Sequence, residues 1–148
     1  MSGESYLEEL PIEVCLQLLR AGSVGRIAVM RDEYPLVVPV NYRLVEASAR
    51  RWVAFRTRRG NVLDEAPMHA AFQIDGIDHV HRQGWAVLAR GTLHHVDPDA
   101  ADFRERFDTD SWLGAERDSW LVLEPFSITG RELRGAAPEW AFETHAYL

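Results

Sequence analysis

Arg56, Arg58 and Arg59 lie within four residues of one another in the stretch VAFRTRRGNVLDEA, residues 53–66. Guanidinium groups at that density suit an anion, because each offers a planar fork of N–H donors that matches a phosphate or a carboxylate. Gly60 admits close backbone approach, and a helical turn starting at residue 61 would add free N–H groups at its positive end. Arginine-rich loops are also commonly solvated charge, so the spacing leaves both readings open. The rest of the chain sharpens the contrast: the formal net charge is −7, and all sixteen basic residues are arginine.

Other groups could do chemistry but lack the company it needs. His79 and His81, with Asp75 and Asp78 nearby, have the two-residue spacing that puts two imidazoles on one side of a strand, yet no third ligand follows at metal-site spacing. No metal is expected. His94 and His95 point to opposite faces of a strand, so they cannot act as a simple pair. Cys15 shares the stripe of Ile12, Leu16 and Leu19 and reads as a core thiol. No nucleophile elbow or P-loop is present, and nothing singles out a catalytic acid or base.

These residues must be positioned by a mainly β scaffold. A chain of 148 residues is one domain in size, with residues 1–10 as a lead-in and 135–148 as a tail. A helix is expected over 11–21, with Pro11 at its first position and Gly22 as its stop. Strands follow at 24–30, 35–45 and 51–57. A short helical segment at about 61–66 precedes a strand at 69–75. GIDHVHRQG (76–84) is a polar loop or a hairpin extension. A long strand at 85–96 bends at Gly91, a helix begins at Asp97–Pro98 and carries Phe103 and Phe107, and a loop presents Trp112. A last strand, 119–133, is interrupted near Pro125. Six antiparallel strands with short flanking helices imply a closed or nearly closed barrel.

The acidic balance argues against nucleic acid. No apolar run approaches the ~20 residues that span a bilayer, and the acidic start MSGESYLEEL lacks a signal-peptide layout. A cytoplasmic protein is expected.

In that order and spacing, GRIAV (25–29), PLVVPVNY (35–42), FRTRRGNVL (55–63), AFQID (71–75), GWAVLARG (84–91) and EPFSITGREL (124–133) resemble the pyridoxamine 5′-phosphate oxidase-like proteins, the FMN-binding split barrels. Similarity is greatest to their small actinobacterial branch and runs over residues 8–134. The resemblance implies a six-stranded antiparallel split β-barrel, a homodimer, and a flavin in each of two clefts between subunits. It implies that Arg56, Thr57, Arg58, Arg59, Asn61 and Val62 lie at the flavin's phosphate. Val38, Pro39, Val40 and Asn41 would lie beside its ring, and Gln83 and Trp85 would line the same cleft.

Three departures qualify what the resemblance carries over. Many relatives have Ser-Lys after the glycine, where this chain has Asn61 and Val62; the arginines would replace the lysine, or the site would have been given up. Gln73 stands where a glutamate is common. The C-terminal substrate segment of the pyridoxal phosphate-forming members is replaced by GAAPEWAFETHAYL, so oxidation of pyridoxamine phosphate is not expected. The tail's Trp140, Phe142 and Tyr147 would pack against the chain's own barrel, cap the cleft or lie on the partner subunit. The reading is an FMN-dependent oxidoreductase acting on a small molecule. Its alternatives are a reductase using the deazaflavin F420 on the same fold and a cofactor-poor binding or sensor protein.

Overall fold

A computed structural model of the chain describes residues 6–96 and 119–135. The elements are β1 (Tyr6–Glu9), α1 (Ile12–Ala21), β2 (Val24–Arg31), β3 (Tyr34–Asn41), β4 (Arg43–Ala47), β5 (Arg50–Thr57), a 3₁₀ turn (Val62–Glu65), β6 (Met68–Asp78), β7 (Gln83–His95) and β8 (Ser119–Arg134). All strand pairs are antiparallel, in the order β3-β2-β6-β7-β8-β5-β4, with β1 also on β8. The sheet curls without closing, because β3 and β4 end the path and no ladder joins them. This is a split β-barrel. The helix expected at Asp97, the loop at Trp112 and the tail's aromatic residues lie outside the described residues.

The strand count is eight among the described residues, not six. The run at 35–45 breaks at Tyr42, whose N–H turns to Ser23 O and whose hydroxyl donates to Leu19 O at 2.7 Å. The lead-in holds the short strand β1, paired with the far end of β8 from Tyr6↔Arg134 to Glu9↔Arg131. Residues 76–84 form a hairpin extension, since the β6–β7 ladder runs on to Asp78↔Gln83.

Two tight hairpins follow from backbone that residues other than glycine rarely adopt. Asp32 and Glu33 turn β2 into β3 at φ 49° and 69°, and Ser48 and Ala49 turn β4 into β5 at 49° and 65°. Paired positive φ values match the two-residue hairpin turn whose twist suits the flanking strands.

Strand β7 bends at Gly91, as its sequence predicts. The β7–β8 register shifts between Arg90 and Gly91, leaving Phe126 of β8 without a cross-strand partner. A Cβ at Gly91 would lie 2.0 Å from Glu124 O, so only glycine allows this approach. Pro125 does not interrupt β8: its missing N–H falls at the bulge, where the ladder is already irregular.

Alternate strand residues fill the barrel. Ile27, Phe72, Val87, Leu93, Leu121, Leu123, Val53 and Phe55 are all within 1% of full burial. Helix α1 covers one end with Cys15, Leu16 and Leu19. It reaches β8 at Gly130, where a Cβ would meet Cys15 Sγ at 2.5 Å. Pro11 caps this helix and does not occupy its first turn, because its ψ of 152° is extended.

Candidate functional site

Strand β5 delivers the arginine loop. Arg56 pairs across the ladder with Trp120 and Thr57 with Ser119. Successive strand residues face opposite sides, so Arg56 lies outside, its guanidinium 5.0 Å from the centroid of the Trp120 ring, while Thr57 is turned inward and buried. Arg58, Arg59 and Gly60 are exposed, and neither Arg58 nor Arg59 enters an ion pair among the described residues.

The turn after them is fastened from within. Gly60 takes the left-handed conformation at φ 79° with open space around its α-carbon. Asn61 caps the 3₁₀ turn by accepting from Leu63 N–H at 3.1 Å, a bond that uses its carboxamide oxygen and leaves the two N–H donors. Leu63 and Val62 tie the turn to the core, Leu63 with no exposed surface. The expectation of free N–H groups at this turn is corrected in part. The amides of Gly60 and Leu63 bond to the Asp64 and Asn61 side chains, and those of Asn61 and Asp64 to the carbonyls of Arg58 and Asn61, so the turn satisfies its own donors.

Asp64 is the residue that sequence reading missed. Its Oδ2 accepts from Gly60 N–H at 2.9 Å and its Oδ1 accepts from the Ser119 hydroxyl. His95 Nε2 lies 2.8 Å from the Asp64 carbonyl oxygen and 3.9 Å from its Oδ1, and His95 Nδ1 lies 3.4 Å from Ser119 Oγ. The Ser119 hydrogen bond, then the Gly60 N–H, then the electrostatic influence of His95 and Arg59 hold the Asp64 carboxyl below the usual carboxylate range. The signal was the Asn61-x-x-Asp64 spacing, which places an acceptor where it can reach back to the start of a turn.

The four ring-side residues lie on β3, which approaches β5 across the split. Val38 and Val40 point toward the core and are partly buried, whereas Pro39 is exposed and Asn41 is half-buried. The strand therefore offers an apolar surface at Pro39 and a polar end at Asn41 on the side where it approaches β5.

Gln83 and Trp85 are not brought to that loop within one chain. Trp85 packs over Gly76, where a Cβ would meet its Nε1 at 2.6 Å, and it pairs with Glu132 on β8. Thr57 pairs with Ser119 at the other end of the same strand. At roughly 3.3 Å per strand residue, the two groups are on the order of 40 Å apart along β8.

Two further candidates, His81 and Gln73, have structural partners. His81 Nδ1 lies 2.6 Å from Asp78 Oδ2 at the hairpin tip. Gln73 accepts from Arg26 Nη1 at 3.0 Å and donates to Asp75 Oδ2 at 3.0 Å. That pair of bonds accounts for the amide: a glutamate there would set a second carboxylate against Asp75. On the outer face of the sheet, a groove of about 370 Å³ is lined by Ala28, Met30, Pro35, Ala71, Arg90 and Phe126. Among the described residues no helix is long and apolar enough to cross a membrane.

Two exposed guanidinium groups, an open left-handed glycine and the N–H donors of the Asn61 carboxamide fit an anionic ligand. Comparison with known proteins narrows the field. The sequence model of a family described as pyridoxamine 5′-phosphate oxidase matches residues 11–132. An uncharacterized Mycobacterium tuberculosis protein is 27% identical over 131 residues, 82% of each chain. The structure of an FAD binding protein from Mycobacterium smegmatis is 28% identical, with a TM-score of 0.68 over 85% of this chain and 98% of that one. An FAD-binding protein from Mesorhizobium loti, 20% identical with a TM-score of 0.70, covers 87% of this chain with 98% of its own and shares the fold.

Proposed function

Because the chain belongs to the pyridoxamine 5′-phosphate oxidase family, by the match over residues 11–132, we propose that it binds a flavin nucleotide through the half that FMN and FAD share. The observation that carries this reading is the pair Arg58–Arg59, exposed and in no ion pair among the described residues, on the loop that follows β5, the strand that β3 approaches across the split. The M. smegmatis relative, which is described as FAD-binding, supports it.

In this reading Arg58, Arg59 and the Asn61 carboxamide hold the phosphate, and Arg56 buttresses the loop from its seat on Trp120. Val38, Val40 and the exposed Pro39 give the ring apolar contact, with Asn41 at its polar edge. A bound flavin supplies the redox step, and the protein supplies orientation and a dry cleft. The substrate is a small molecule. Gln83 and Trp85 are too far from the loop of their own chain, so they complete the cleft of a second copy in a homodimer. The exposed Met30, Val37 and Phe126, at 63%, 58% and 77% accessibility, give that copy an apolar face to cover.

The test is an absorption spectrum of the purified protein after incubation with FMN or FAD and desalting. A retained flavin spectrum near one equivalent per chain, bleached by a hydride donor, is the expected result. Retention without bleaching would point to a binding or sensor protein. A colourless protein would overturn the reading, and retention of F420 by that protein would move it to the deazaflavin.

A further inference from the structure

We propose that Asp64 is a counter-anion built into the arginine loop, and that it weakens the loop's hold on a ligand's phosphate in proportion to that phosphate's charge. The inference rests on the flavin reading above. Both Asp64 carboxylate oxygens are engaged, Oδ2 by Gly60 N–H at 2.9 Å and Oδ1 by the Ser119 hydroxyl, so the charge is pinned inside the loop and cannot swing away. It takes up the amide of Gly60, which the open left-handed turn would otherwise present to a ligand. Its negative charge also acts on Arg59, one of the two exposed cations. The loop therefore meets a phosphate with part of its cationic field already cancelled.

A fixed like charge repels a dianion twice as strongly as a monoanion. FMN ends in a phosphomonoester that is largely dianionic at neutral pH. FAD carries two linked phosphates of one charge each, and riboflavin carries none. Asp64 accordingly works against the monoester most, against the diester-like pyrophosphate less, and against the uncharged flavin not at all. The residue is a specificity determinant that shifts preference from FMN toward FAD.

The experiment measures dissociation constants of riboflavin, FMN and FAD by flavin fluorescence for the full chain and for Asp64→Asn. The variant removes the charge and keeps an acceptor for Gly60 N–H. Removing one like charge near a salt-screened surface should tighten FMN about tenfold and FAD about threefold, with riboflavin unchanged. The FMN gain should shrink in high salt. Asp64→Ser, smaller but also neutral and able to accept, is measured alongside in case the amide misfolds; it should show the same charge order. Equal changes for all three flavins, or weaker FMN binding in both variants, would overturn the proposal and make Asp64 an anchor of the loop only. If wild type and variants bind none of the three, the flavin reading falls and this inference falls with it.

Discussion

Arg58 and Arg59 carry their charge at the surface and hold no other element in place, so they can be removed without touching the fold. Replacing both by alanine should leave unfolding free energy within about 0.5 kcal/mol, the usual range for exposed positions. The same change should weaken flavin nucleotide binding at least tenfold, since charge-assisted bonds to phosphate contribute about 1.5–3 kcal/mol each. A thermal melt and a fluorescence titration on one preparation check both halves. Asp64 makes a separate prediction. Its carboxyl lies below its ordinary value in the folded chain, so its stabilising contribution is present above the unfolded pKa of about 3.9. That contribution is lost as pH falls through the lower folded value. Melting temperatures followed from pH 5 down to pH 3 should drop more steeply for the wild type than for Asp64→Asn.

At the level of elements, the bend between β3 and β4 depends on Tyr42. Its hydroxyl is buried against Leu19 O, its ring meets Phe72 edge-on at 4.7 Å, and burial pushes its pKa up to about 12. A phenol whose folded pKa is raised stabilises fully below its unfolded value of about 10 and loses that contribution as pH rises from there toward 12. Tyr42→Phe should cost about 1 kcal/mol at neutral pH by stranding the Leu19 carbonyl. It should also flatten the alkaline limb of a stability–pH curve. Gly91→Val should be far more damaging, because its Cβ would meet Glu124 O at 2.0 Å; urea unfolding should show a loss of at least about 3 kcal/mol or no folded protein.

These elements also show how far the sequence could be read. Periodicity and turn residues located β2, β5, β6, β7, β8 and the bend at Gly91, because these are written in local pattern, whereas β1 was read as a lead-in. The break at Tyr42 was hidden: VPVNYRLV alternates smoothly, and only the helix beneath it, reached through Leu19 O, pulls the chain out of register. The arginine loop was legible as charge density. The partners of Asp64 were not, since Ser119 and His95 are brought to it only by the β7–β8 and β5–β8 ladders. Gln73 carried no local signal either, because its meaning lies across the sheet in Arg26.

For the whole molecule, the proposed cleft joins the arginine loop of one copy to the Gln83–Trp85 end of another, so the proposed dimer can be tested directly. Met30→Glu with Phe126→Glu should turn a dimer into a monomer by light scattering and abolish flavin retention at the same time, with the barrel's circular dichroism unchanged. The pairing of β8 has a further consequence, for the order in which the chain is made. β8 pairs with β7, with β5 and with β1, the last joining residues 6–9 to residues 131–134. It is also the last of these strands to leave the ribosome. Until it emerges, three strand edges stay open in the nascent chain and no closed intermediate can form from the N-terminal side. Folding must wait for synthesis to pass Arg134 and then proceed through contacts distant in sequence, which places it among slow, millisecond-to-second folders.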